Sequence, residues 1–255
     1  MNIARNLIAS TISLVAISVS AIAETADAAY LTFFGEDAGA GESTRLLSTP
    51  NANAARTSFF SNLSGVGTET FESIATGATS PINASFGADI ATINGNGSVR
   101  SVPSGASFGR YPISGDKFYQ ANNAFNITFT TAQAAFGFYG VDIGDFNGRV
   151  TLTLSKVGGG VETLTVPNTR NGAGGNALYF GLIASDPSNL FTSISFGNTN
   201  ARTDIFAFDN FSIGRQEQVV RPVPVPGLAV GVVFAAGILG RKHIKKRKQL
   251  INLTN

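Results

Sequence analysis

The sequence predicts an all-β fold, a jelly-roll-like β-sandwich, and three observations carry that prediction. Of 255 residues, 29 are glycine and only 13% are charged, against roughly 7% Gly and 25% charged in ordinary soluble domains. Apolar residues recur with period two rather than 3.6, as in Phe125-Asn-Ile-Thr-Phe129 and Val150-Thr-Leu-Thr-Leu154. Ten or eleven short apolar stretches alternate with turn-rich links and show no βαβ rhythm, which argues for two packed antiparallel sheets.

Taken in order, a strand is expected at 31–34, followed by the one helical segment. There Thr49-Pro50 supplies a start signal, Ala55, Phe59 and Leu63 fall on one face, and Gly65 ends the run. Further strands are expected at 69–72, 89–93, 98–102, 125–129 and 135–143. The stretches 150–157 and 161–166 form a hairpin across Gly158-Gly159-Gly160. Strands at 178–184, 192–196 and 205–213 complete the set. With 20 phenylalanines and no tryptophan, the core is Phe-built, and Phe136, Phe138, Phe206, Phe208 and Phe211 are packing residues.

The β-sandwich spans 29–214, and both flanks read as targeting segments. Arg5 precedes seventeen uncharged residues, 7–23, and the small-residue motifs Ala21-Ile-Ala23 and Ala26-Asp-Ala28 follow. This is the pattern of a signal peptide, here 1–28, exported through the Sec pathway. At the other end 215–226 is a Pro-rich linker, and 222–240 carries no charge. Prolines 222, 224 and 226 leave only 227–240 for a helix of about 21 Å, short for a bilayer core of about 30 Å. The tail 241–255 opens with Arg241, Lys242, Lys245, Lys246, Arg247 and Lys248, a stop-transfer cluster that by the positive-inside rule stays cytoplasmic. The β-sandwich is then outside, in the periplasm, on the outer surface or in the medium, anchored to the inner membrane at least transiently.

Charge and composition exclude several functions. Between 30 and 214 there are 9 basic residues against 13 acidic ones, so a pI near 9.0 comes from the tail and a nucleic-acid partner is excluded. There is no cysteine, and the one histidine, His243, lies in the tail. Thiol nucleophiles, Ser-His-Asp triads and His-rich metal sites are therefore absent from the body of the protein. Glu69 and Glu72, three apart on an expected strand, point to opposite faces and do not form a glycosidase pair. Gly95-Asn-Gly97 lacks the following helix of a nucleotide-binding fingerprint.

The densest polar constellation is Asp142-Ile-Gly-Asp145-Phe-Asn147. Two carboxylates and an amide oxygen close together are suitable ligands for a structural Ca²⁺, and equally form a solvated turn. Glu36-Asp37 and Asp209-Asn210 offer a second Ca²⁺ possibility if the terminal strands run side by side. Tyr111, Tyr119, Tyr139, Asn122 and Asn123 are candidates to line a polysaccharide-binding face.

The order of proline motif, Val223-Pro224-Val225-Pro226, short apolar helix and basic cluster resembles the PEP-CTERM sorting signal, with Val225 standing where members usually carry Glu. Gly65-Val-Gly-Thr-Glu-Thr-Phe-Glu72, Gly109-Arg-Tyr-Pro112, Phe136-Gly-Phe-Tyr-Gly-Val-Asp-Ile-Gly-Asp145 and Phe206-Ala-Phe-Asp-Asn-Phe-Ser-Ile213 look like the bodies of secreted PEP-CTERM proteins. The resemblance implies an exosortase-type processing enzyme as partner and a place in the exopolysaccharide or biofilm matrix. The expectation is a non-catalytic envelope protein, and the alternative is a secreted Ca²⁺-dependent polysaccharide hydrolase.

Overall fold

The structure, a computed structural model, describes residues 29–220 apart from 201 and 203, with the backbone alone at 122 and 123. The expected signal peptide 1–28, the expected sorting motif Val223–Pro226, the apolar segment 227–240 and the basic tail lie outside the described residues. Among the described residues no helix is long and apolar enough to cross a membrane.

Eleven strands are present among the described residues: β1 (Tyr30–Asp37), β2 (Gly67–Glu69), β3 (Ile82–Phe86), β4 (Asp89–Ser101), β5 (Lys117–Gln133), β6 (Ala135–Val141), β7 (Val150–Lys156), β8 (Val161–Thr165), β9 (Ala177–Ala184), β10 (Phe191–Asn198) and β11 (Ile205–Gly214). All pairings are antiparallel, and one curled sheet runs β1-β9-β6-β11-β5-β10-β7-β8. The long strand β5 makes the curl. Its first half pairs with β11 through Tyr119–Asn122, and its second half pairs with β10 from Phe125 onward. β4 follows β5 through both halves with a bulge between Gly95 and Gly97. The first half-sheet is thus β1, β9, β6, β11, β2 and the start of β5, and the second is β3, β4, β5, β10, β7 and β8.

The two halves face one another across a phenylalanine core. Phe138 of β6 meets Phe196 of β10 at 5.3 Å, and Phe125 of β5 meets Phe208 of β11 at 5.2 Å, both edge to face. Phe136, Phe138, Phe206, Phe208 and Phe211 are all buried, as the composition predicts.

The helix α1 (Pro50–Phe60) covers the outer side of the first half-sheet, burying Ala52, Ala55 and Phe59. Pro50 takes the first turn as expected, but Thr49 makes no capping bond. Asp37 at the end of β1 caps it instead, accepting the Asn51 and Ala52 N–H groups at 3.1 and 3.0 Å. The helix ends before Gly65, at Ser61.

Several expected boundaries are corrected. The strand expected at 69–72 ends at Glu69, whose carboxylate accepts the Phe71 N–H at 2.6 Å while Phe71 turns to φ +62°. Stretches 89–93 and 98–102 are one bulged strand, and 82–86 and 117–124 are strand residues outside the predicted set. The terminal strands are not neighbours: β9 and β6 separate β1 from β11. A Ca²⁺ site shared between Glu36-Asp37 and Asp209-Asn210 therefore does not form across adjacent strands.

Candidate functional site

The strand β6 ends where Asp142 adopts φ +63°, a left-handed conformation uncommon for a non-glycine residue. Its N–H is held by the Asn176 carbonyl at 3.0 Å, and Asn176 Nδ2 donates to Ile143 O at 2.9 Å, so the turn is pinned from β9's entry. A short 3₁₀ turn, Asp145–Asn147, follows. The structure brings Asp142 and Asp145 together with Glu42, a residue outside the sequence motif; one carboxylate oxygen of each lies within 4.8 Å of the others. Asn147 stands exposed at the end of the turn with φ +65°.

Asp142 is the buried member, 3% exposed, accepting the Gly175 N–H at 2.9 Å and facing Arg110 Nη1 at 3.6 Å. A β-carbon at Gly109 would collide with its carboxylate, and one at Gly174 with Glu42's. Glycine at both positions is what lets the backbone close over these acids. Burial pushes the Asp142 carboxyl up to about 7, opposed by the Gly175 N–H and Arg110 and reinforced by Asp145 and Glu42. Burial likewise lifts nearby Asp204 to about 6. Carboxylates this close repel when ionised, and a bound divalent cation would relieve that repulsion. Glu42, Asp142 and Asp145 are the residues that could hold one. Sealed beneath glycine backbone, Asp142 braces the loops that carry Gly109 and Gly175.

The other acids serve the fold. Glu69 accepts the Phe71 and Ser85 N–H groups, whereas Glu72 accepts those of Asp116 and Lys117. The two carboxylates hold different segments and do not converge. Glu36 accepts the Thr169 N–H at 2.8 Å, and Asp209 takes those of Ile113, Ser114 and Asn210.

The tyrosines do not line a face. Tyr111, Tyr119 and Tyr139 are each no more than 2% exposed. Tyr111 donates to Gly175 O and Tyr139 to Asn53 Oδ1, while Tyr119 stacks on Phe71 in the core. Their phenols are consumed by packing because both sides of the first half-sheet are covered. The side chains of Asn122 and Asn123 lie outside the description.

The exposed polar surface lies instead on the outer side of the second half-sheet. Cross-strand register aligns Asn94, Asn126, Ser195, Thr153 and Thr163 in one row, and Asn83, Thr92, Thr128, Ser193 and Ser155 in the next. The rows are internally bonded, with Asn126 Nδ2 to Ser195 Oγ at 3.2 Å and Thr153 to Thr163 at 3.0 Å between hydroxyls. Strands about 4.8 Å apart make this a continuous array of hydroxyls and amides. Neither row contains a charged residue. Its signal in the sequence is the Thr, Ser and Asn at the outward positions of period-two strands.

Fold and surface together define an antiparallel β-sandwich with an acidic cluster at one sheet end and an uncharged polar face. No family model matches the chain, and no curated protein matches it. Among solved structures it is similar to the K2 cleaved adhesin domain of Lys-gingipain, at 16% identity and a TM-score of 0.36 over 58% of this chain and 97% of that one. It is also similar to TmCBM61 in complex with β-1,4-galactotriose, at 16% identity and a TM-score of 0.29 over 58% of this chain and 95% of that one. A family 11 carbohydrate-binding module from Clostridium thermocellum matches at 11% identity and 0.29, over 60% and 96%. Scores this low carry no argument about ligand or function.

Proposed function

We propose that this chain is a non-catalytic exported protein of the cell envelope, sorted by a PEP-CTERM-type signal and binding matrix polysaccharide. The observation that carries the reading is the order of segments in the sequence: leader, one β-sandwich, Val223-Pro224-Val225-Pro226, apolar 227–240, and six cations from Arg241 to Lys248. An exosortase-type enzyme is the partner this order calls for. The hydroxyl-and-amide face supports polysaccharide binding, since such groups exchange hydrogen bonds with sugar hydroxyls without the desolvation penalty of a buried charge. Glu42, Asp142 and Asp145 hold a structural Ca²⁺ in this reading.

Replacing Arg241, Lys242, Lys245, Lys246, Arg247 and Lys248 with Gln removes the stop-transfer charge from an already short apolar segment. Fractionation of cells should then find the protein released or mislocalised, with its mature N-terminus between Glu24 and Ala29. Unchanged membrane retention and processing would overturn the sorting reading.

A further inference from the structure

Where β4 crosses from one half-sheet to the other, its bulge opens a groove of about 390 Å³ at the rim of the polar face. The bulge requires its glycines. Gly95 sits at φ +132°, and a β-carbon there would lie 2.8 Å from the Phe125 Cα; one at Gly97 would collide with the Tyr119 phenol. The Tyr119 hydroxyl under this floor is buried and has no hydrogen-bond partner among the described residues. The Gly95-Asn-Gly97 motif therefore has a purpose other than nucleotide binding: it shapes a concavity.

The groove is lined by the side chains of Thr79, Ser80, Asn96, Ser98, Arg100 and Gln120. Ser80 is already engaged, taking the Gly95 N–H at 3.0 Å and donating to Ile93 O at 3.3 Å, which fixes that rim. Ile205 supplies an apolar wall, braced from behind by Arg110 Nη1 donating to its carbonyl at 3.4 Å. Among the described residues no aspartate or glutamate lines the groove, and Arg100 takes part in no ion pair. The volume lies within the about 300–1,000 Å³ typical of small-ligand sites.

One guanidinium among neutral hydroxyls and amides selects a definite chemistry. Its planar fork matches a carboxylate through two parallel hydrogen bonds. A phosphate ester carries up to two charges, which the one guanidinium here would neutralise only in part, whereas a carboxylate's single charge is matched in full. The neutral residues match ring hydroxyls. We propose that this groove binds one uronic-acid unit of an acidic polysaccharide, with the carboxylate on Arg100 and hydroxyls on Asn96, Ser98 and Gln120. This rests on the polysaccharide-binding reading above and names the class of sugar it takes.

The test uses the full-length protein and calorimetric titration at physiological salt with trigalacturonate and, separately, cellotriose. A short oligosaccharide is needed because the basic run 241–248 would hold a long polyanion by charge alone. The expected result is binding of trigalacturonate in preference to cellotriose, weakened at least tenfold in Arg100→Gln and several-fold in Gln120→Ala, with melting temperatures unchanged. Ser98→Asp, which keeps Arg100 but sets a carboxylate in the groove, should give the same loss and covers the case in which Arg100→Gln unfolds. If trigalacturonate is not held, or is held equally by Arg100→Gln and Ser98→Asp, while neutral insoluble glucans still retain the protein, the groove assignment is overturned and the polysaccharide reading stands. If neither neutral nor acidic polysaccharides retain the protein, both fall.

Discussion

The two half-sheets use the same pleated strands and meet opposite fates on their outer sides. In the first, β6 and β9 are buried at every residue, whereas in the second β7 and β8 alternate between inside and outside. The difference lies in the outward residues. β6 and β9 present Ala135, Gly137, Tyr139, Tyr179, Gly181 and Ile183, and the two glycines give Phe59 of α1 room to lie on the sheet. A β-carbon at Gly181 would stand 2.6 Å from the Phe59 ring. β7 and β8 present Thr151, Thr153, Thr163 and Thr165; the Thr153 and Thr163 hydroxyls bond to each other, and such polar groups gain nothing from a covering helix that leaves them unpaired. Small and aromatic outward residues invite a third layer, and hydroxylated ones refuse it.

The largest expected break in this contrast is Phe59→Ala, which empties the seam between helix and sheet. It should cost about 3–5 kcal/mol by urea unfolding. A loss below about 1 kcal/mol would mean that the helix merely rests on the sheet.

Next comes the acidic cluster at the end of the covered sheet. With Ca²⁺ about a hundredfold above its Kd, binding to the folded state alone adds about 2.7 kcal/mol, which raises Tm by several degrees. Melting in millimolar Ca²⁺ should therefore exceed melting in EDTA, with the difference abolished by Asp145→Ala. Superimposable curves would leave the cluster as a strained turn.

A separate, pH-dependent effect follows from Asp209 on β11. Burial lifts its carboxyl from 3.8 to about 7 in the folded state, against the three backbone N–H groups that favour its charge. The folded state therefore holds a proton that the unfolded chain has released, and the stability this contributes is full below about pH 4 and lost as pH rises through 7. Tm should fall between pH 5 and 8, where Asp142 and Asp204 add to the slope, and Asp209→Asn should lessen it by the Asp209 share. A parent protein and an Asp209→Asn variant with the same slope across that range would show Asp209 to be ionised throughout.

Smallest of all is the open face, where Thr153→Ala should shift stability by no more than about 0.5 kcal/mol. A cost approaching that of Phe59→Ala would reveal that the hydroxyl array supports the fold.

Much of the fold was legible in the residues, and much of the site was not. The Phe core, the Thr-x-Thr strands, the helix begun at Pro50 and the hairpin over Gly158–Gly160 are all local patterns. Strand residues 117–124 escaped because Phe118 and Tyr119, adjacent in sequence, are both buried on opposite sides of a covered sheet, which erases the alternation that marks a strand. Asp142 and Asp145 announced themselves by spacing; Glu42, far upstream, did not.

By itself the sequence determined the β class, the aromatic core, the absence of thiol and histidine chemistry from the β-sandwich, and the charge segregation at the tail. These depend on composition and on a side-chain period of two, both properties of short stretches. Tertiary structure alone decided that β9 and β6 part the terminal strands, that the tyrosines turn inward, that Glu42 joins the acidic turn, and that the bulge at Gly95 and Gly97 opens beside Arg100. Each of these depends on strand order and register, set by contacts between residues far apart in the chain, and no local pattern encodes which distant strand will supply the partner.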